Sequence, residues 1–249
     1  MIFKIQNGIF GCASDKGKKR KLNEDSCFVL ENKNAILMIV CDGLGGHQKG
    51  EVASKLCVDT IVESFKNQKF DLGGVDIRFW MEKVSAKANE NVYKKSFIDE
   101  HYLGMGTTLC MVVLFHNRIH LLNVGDSRCY KIFKDKIEQI SEDETYNAYL
   151  RKLGMKEELI DHNSDNILLN ALGTNELLKF KYSKFDFDCE GVLLCSDGLY
   201  HEVDDNSLKD LLLNKMAFSQ KIQSLINKAN NNGGNDNITV CLFEKGIHD

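Results

Sequence analysis

A chain of 249 residues can bury one sizeable core, and its 43% hydrophobic and 27% charged residues are ordinary for a globular protein. The formal net charge of -4 gives no basis for nucleic-acid binding, and the apolar runs are too short to span a membrane. No linker-like stretch divides the composition, so a single domain over residues 1–249 is expected.

The opening MIFKIQNGIF carries one lysine and no long apolar stretch ahead of a small-residue cleavage site, so it does not read as a secretion signal and a cytoplasmic location is expected. The nine cysteines agree with that location. Their number is odd, no CxxC pair occurs, and Cys41, Cys110, Cys195 and Cys241 lie inside apolar runs, as reduced core residues do. Proline is absent, and the sequence offers no functional account of it.

In chain order, runs rich in Ile, Val, Leu, Phe and Cys predict strands at 3–12, 26–30 and 35–41. Two amphipathic helices follow. Residues 51–68 place Ala53, Leu56, Cys57, Ile61 and Phe65 on one face, and 77–95 do the same with Ile77, Trp80, Val84, Ala88 and Val92. Strands are predicted next at 107–115, 118–124 and 128–133, the first two joined by a short turn at His116-Asn117. Residues 141–180 are polar and weakly patterned, which suits a surface subdomain or mobile flap. A strand at 191–196, a helical region at 207–230 broken near Ala217 to Ser219, and a strand at 238–243 complete the chain. Short connections favour antiparallel pairing, and the class is α+β with sheets inside and helices outside.

Four apolar runs meet an aspartate beside small or turn-forming residues: AILMIVCDGLGG at Asp42, LLNVGDSR at Asp126, VLLCSDGL at Asp197 and GGNDNITV at Asp236. A buried strand delivers its terminal residue to one edge of a sheet, and glycine there permits close approach. Several such edges meeting would gather acidic oxygens around divalent cations. With no zinc-type His/Cys spacing, magnesium or manganese suits these donors best. Two ions could share Asp42, generate hydroxide at neutral pH and neutralise a phosphate under in-line attack. Arg20, four residues before Glu24-Asp25, is the natural phosphate grip. The plainer alternatives are that the aspartates only start turns, that Asp126 braces its own, and that KGKKRK is a solvated basic turn.

Taken together the motifs resemble the metal-dependent serine/threonine protein phosphatases of the 2C type, in their compact bacterial form. They run in order as R-x-x-N-E-D at Arg20 to Asp25, D-G-L-G-G-H-x-x-G-E-x-A-S at Asp42 to Ser54 and G-T-T at Gly106 to Thr108. G-D-S-R at Gly125 to Arg128, A-L-G at Ala171 to Gly173, S-D-G-L at Ser196 to Leu199 and D-N-I-T at Asp236 to Thr239 follow. The resemblance implies a four-layer α-β-β-α sandwich of two antiparallel sheets flanked by helices, with the metals in a cleft at one end. It implies that Asp42 bridges two Mn2+ or Mg2+ ions, that the Gly43 carbonyl completes the first site and that Asp197 and Asp236 hold the second. Glu24 would then sit on a metal-bound water with Asp25 behind it, and Asp126 with Asp197 would form a weaker third-metal site.

The activity implied is hydrolysis of phosphoserine and phosphothreonine monoesters by a metal-bridging hydroxide, without a phosphoenzyme. No C-x5-R cysteine motif points to a covalent route. The implied partners are phosphoproteins and an opposing serine/threonine kinase, and nothing demands more than a monomer. One departure matters: animal relatives carry a histidine two residues after the bridging aspartate, proposed as general acid, where this chain has Leu44. His47, three residues further on, is expected to cap or pack against the following helix. Two other readings remain open. One is a silent phosphatase-fold binding module, which would be expected to lack metal aspartates; the other is a phosphatase for one dedicated phosphate ester, its choice set by residues 141–180.

Overall fold

Two antiparallel sheets stack face to face, each covered outside by helices, in a computed structural model that describes residues 2–5, 8–44, 49–70, 76–161 and 167–246. One sheet has the order β1 (Ile2–Ile5), β2 (Gly8–Asp15), β13 (Ile238–Lys245), β12 (Gly191–Cys195), β9 (Arg128–Ile132), β10 (Ile137–Gln139). The other runs β11 (Lys181–Asp186), β8 (Arg118–Val124), β7 (Leu109–Phe115), β4 (Ala35–Cys41), β3 (Ser26–Asn32). A small ribbon pairs β5 (Gly43–Leu44) with β6 (Gly106–Thr107). Helices α1 (Gly50–Asn67) and α2 (Ile77–Ser96) cover the five-stranded sheet; α4 (Asp197–Tyr200), α5 (Asp205–Leu213) and α6 (Phe218–Asn232) cover the six-stranded one. Helix α3 (Tyr146–Lys152) lies within the polar stretch 141–180.

Three apolar layers hold these four structural layers together, and strand alternation explains why. Every side chain of β4 is buried, because its two faces serve different layers. Leu37, Ile39 and Cys41 pack toward α1 and α2, whereas Ile36, Met38 and Val40 enter the space between the sheets. On β13, Cys241 and Phe243 enter the same middle layer, and Ile238, Val240 and Leu242 face α5 and α6. The predicted helix faces are used as expected: Ala53, Cys57, Ile61 and Phe65 of α1 and Ile77, Trp80, Val84, Ala88 and Val92 of α2 are all buried, with Leu56 at the margin.

The predicted strand at 3–12 is instead a hairpin, with Ile5 opposite Gly8. Both arms are apolar, so hydrophobicity alone did not mark the reversal. Three strands were not predicted: the two-residue β5, then β10 and β11. The last, KYSKFD, is a sheet edge where only Tyr182 and Phe185 are half-buried and the other side chains are exposed, which dilutes the apolar signal. The turn at His116-Asn117 has φ of 48° and 56°, the left-handed pair of a type I′ hairpin that matches strand twist. The helical region 207–230 breaks between Leu213 and Phe218, where the side chain of Gln220 accepts from the Ala217 backbone N–H.

Candidate active site

All four acidic strand ends meet at one end of the sandwich. Asp42 follows β4 and Asp126 follows β8 in the five-stranded sheet, while Asp197 follows β12 and Asp236 precedes β13 in the six-stranded one. Register makes this meeting unavoidable: Cys41 pairs with Ser26, which sets Asp25 beside Asp42, and Cys195 pairs with Val240. A cavity of about 220 Å³ is lined by Arg20, Glu24, Asp42, Gly43, Asp126, Asp197 and Asp236, together with Leu44, Leu168 and Asn237. Of the predicted site residues only Asp25 is absent from this lining. It sits behind, 7% exposed, where Ser196 Oγ donates to its carboxylate at 2.7 Å. His47 lies outside the described residues. Leu44, in the position of the animal-type histidine, brings no titratable group to the cavity.

Hydrogen bonds from neighbouring strands set each loop. The Asp42 backbone N–H donates to Thr108 Oγ1 at 2.9 Å, and its carbonyl accepts from the Thr108 N–H at 2.8 Å and Thr107 Oγ1 at 3.0 Å. Ser196 Oγ accepts from the Thr239 N–H at 3.0 Å, tying the Asp197 loop to β13 and, through its own donated bond, to Asp25. Asn237 Oδ1 accepts from the Glu24 N–H at 2.8 Å, and its amide donates to the carbonyls of Lys16 and Leu22. Two glycines are there because backbones nearly touch: a Cβ on Gly43 would lie 2.3 Å from the Gly50 carbonyl oxygen, and one on Gly198 would lie 2.1 Å from that of Asn237.

The electrostatics are those of charge held against its preference. Burial, then the charges of Asp25, Asp197 and Asp126, push Asp42 well above the usual carboxylate range. Burial likewise lifts Asp25 to about 7 and Asp126 to about 7, and Asp197, with Asp236 beside it, to about 6. Glu24 is raised by burial and by Glu51. Arg20 is the one cationic group among the described lining residues, and its Nη2 lies 2.6 Å from Asp236 Oδ2.

Such a donor set fits hard divalent cations. It is all oxygen, its acids outnumber its bases, and Asp197 Oδ1 is buried with no hydrogen-bond partner among the described residues. Among those residues no three carboxylates bring their oxygens within 4.8 Å of one another. The pocket is therefore no all-protein cage; it suits ions that keep much of their water and take one or two carboxylates each, as magnesium does.

Several supports were not singled out from sequence. Ser196 and Asn237 stand within S-D-G-L and D-N-I-T, but their bonding partners lie far off in the chain, and Leu168 falls in none of the motifs. Arg128 carried a signal, since it stands within G-D-S-R. Its guanidinium lies 3.6 Å from the centre of the Tyr200 ring and pairs with Asp143 at 2.7 Å, and the Tyr200 hydroxyl donates to the Asp126 carbonyl at 3.2 Å. The start of the 141–180 stretch is thereby tied to the acidic end. The Thr107 N–H donates to the Leu172 carbonyl at 3.0 Å and ties down its far end.

Fold and acidic pocket define a phosphate-ester hydrolase of the protein phosphatase 2C type, and the chain belongs to that family, its residues 16–242 matching the family profile for protein phosphatase 2C. Among individual proteins, it is similar to serine/threonine phosphatase stp of Listeria welshimeri, 36% identical over 240 residues that cover 94% of each chain. The serine/threonine phosphatase Stp1 of Staphylococcus aureus superposes with a TM-score of 0.88 at 31% identity, covering 94% of both chains. The catalytic domain of the serine/threonine protein phosphatase PstP, solved in complex with two manganese ions, superposes with a TM-score of 0.83 at 27% identity, over 98% of this chain and 99% of that one.

Proposed function

We propose that the chain is a metal-dependent protein phosphatase that hydrolyses phosphoserine and phosphothreonine monoesters, with Mn2+ or Mg2+ in the acidic pocket. One observation carries this reading: Asp42, Asp126, Asp197, Asp236, Glu24 and Arg20 line a single 220 Å³ cavity although they come from five separate segments. Asp42 would be shared between two cations, with the Gly43 carbonyl completing the first position and Asp197 and Asp236 the second. Asp126 with Asp197 would serve a weaker third position. A bound cation pair supplies a water of lowered pKa and neutralises charge on the phosphate.

The chain's own groups do the rest. Arg20 exchanges the Asp236 carboxylate for two phosphate oxygens, a geometry its planar fork matches. Glu24, half-buried at the cavity wall, would orient the attacking water by accepting a hydrogen bond from it. Asp25 steadies that wall through Ser196, which also accepts from the β13 backbone. With Leu44 lining the cavity, the leaving-group proton would come from metal-bound water or from another group than the one animal relatives use. Residues 141–180 form a flap within a single domain spanning the chain, and Leu168, which reaches the cavity from it, would contact substrate. A serine/threonine kinase is the fitting counterpart. No helix of the described residues is long and apolar enough to cross a membrane, and a cytoplasmic site of action accords with the reduced cysteines.

The deciding experiment is phosphate release from a phosphothreonine peptide with manganese, magnesium or chelator, beside Asp42→Asn. Release that needs metal and vanishes in the variant is the expected result. Folded protein inert with every metal would overturn the reading in favour of a silent binding module.

A further inference from the structure

Cys12 on β2, Cys27 on β3 and Cys241 on β13 are separated by 15 and 214 residues in sequence, yet their sulfur atoms all lie within 4.8 Å of one another. Cys12 stands directly opposite Cys241 in the six-stranded sheet, and Cys27 reaches them from the edge strand of the other sheet. Cys12 and Cys241 are buried and Cys27 is half-buried. They belong to the apolar layer between the sheets that includes Phe10, Val29 and Met38. All nine cysteines lie among the described residues, and none is in a disulfide.

A solitary buried cysteine behaves as a small hydrophobe. Three that converge from three strands offer something a solitary one does not, a face of soft donors. Hydrogen bonds from Cys241 and Cys27 pull Cys12 below the ordinary thiol value, whereas the bond to Cys12 pushes Cys27 above it and burial pushes Cys241 above it, so the three sulfurs share their protons as a group and metal binding has to displace them. The Cys241 thiol donates to the Ile39 carbonyl at 3.2 Å, a bond that would be given up on metal binding. Thiolates prefer thiophilic d10 ions to the manganese or magnesium that suits carboxylates. Zinc–sulfur bonds of about 2.3 Å set tetrahedral sulfurs roughly 3.8 Å apart. The three sulfurs, all within 4.8 Å of one another, are therefore close to the separation such a site needs.

We propose that Cys12, Cys27 and Cys241 form a trithiolate site for a thiophilic d10 cation, Zn2+ or Cu+, that clamps the two sheets together. Binding exchanges thiol protons, released to solvent, for sulfur–metal bonds, with no change of oxidation state. The partial exposure of Cys27 provides the way in. The site is independent of the acidic pocket in donor type and in the ion it selects, and it acts on stability by favouring the folded state that alone presents all three sulfurs.

The test uses the whole reduced chain, its acidic pocket saturated with Mn2+. Titrated Cd2+, a spectroscopic substitute for zinc, is expected to give an ultraviolet thiolate-to-metal charge-transfer band that saturates at one equivalent and raises the thermal midpoint. Cys12→Ser and Cys27→Ser should lose the band and Cys189→Ser should keep it. Displacement of cadmium by Zn2+ or by Cu+ identifies which ion the site takes. In the wild-type chain, independently of any variant's folding, the ion should slow alkylation of Cys27 severalfold as read by mass spectrometry. Absence of both band and protection overturns the proposal, as does a band that survives in folded Cys12→Ser and Cys27→Ser. A Cys12–Cys27 disulfide formed on mild oxidation, with no cation bound, would likewise overturn it and mark a redox pair instead.

Discussion

Strand β4 and the residue that follows it are the two extremes of this molecule. Ala35 to Cys41 are buried on both faces and stabilise the sandwich, whereas Asp42, one residue on, is a half-buried carboxyl among other carboxyls at the cavity wall. A cluster of Phe65, Phe70 and Trp80, with ring centroids 4.7–5.7 Å apart, anchors the α1–α2 layer over that strand. The acidic end has no such self-sufficiency, because each carboxylate raises the cost of ionising its neighbours. Favourable burial in one region thus holds in place the unfavourable charge that the chemistry of the other requires.

The contrast is broken most sharply at Asp42. Asp42→Asn should lower phosphate release by at least roughly 10²–10³-fold, the scale at which a preorganised electrostatic group is worth. In chelator the same variant should melt at a higher temperature than wild type, because it removes a carboxyl whose ionisation its surroundings oppose; a lower midpoint would refute the account of that residue. The reverse behaviour is expected in the core: Phe65→Ala should cost about 3–5 kcal/mol of stability while leaving turnover per folded, metal-loaded molecule unchanged.

Changing pH probes the acidic end as a whole. Asp25 and Asp126 rise to about 7 and Asp197 to about 6, against 3.8 in the unfolded chain. The folded state therefore binds more protons than the unfolded one across that window, and stability falls as pH rises through it. Metal-free protein should accordingly have a higher thermal midpoint near about pH 5 than near about pH 8, and manganese should erase or reverse the difference. Equal midpoints in chelator would show that the carboxylates are not held against their preference.

Smaller effects sharpen the same comparison. Arg20→Ala should raise KM roughly ten- to a hundredfold, the worth of a charge-assisted hydrogen bond, with kcat less affected. The exposed pair Lys55–Asp59 on α1 belongs to neither extreme, and Lys55→Ala should change stability by less than about 0.5 kcal/mol. A larger loss there would mean that surface charge contributes to a frame assigned here to apolar packing.

Much of this was legible in the chain because its causes are local. Helices α1 and α2 announce themselves by apolar residues every three or four positions, and β4, β7 and β12 by uninterrupted apolar runs, since secondary structure repeats over a few residues. The aspartates at strand ends were legible for the same reason, each standing where an apolar run meets turn-forming residues. Pairing was not: the reversal after Ile5 and the edge strand β11 depend on which partner a segment finds, and neither composition nor period records it.

What the sequence by itself determined is the order of the motifs, the chemistry of their side chains and the faces the elements must bury. Tertiary structure alone decided the distances. Ser196 meets Asp25 from 171 residues away, Arg128 joins Tyr200 to Asp143, and three cysteines dispersed along the chain share one point between the sheets. Those meetings follow from strand register and sheet stacking, which pair neighbouring strands and close the apolar layers at once. No stretch of chain encodes such a condition alone.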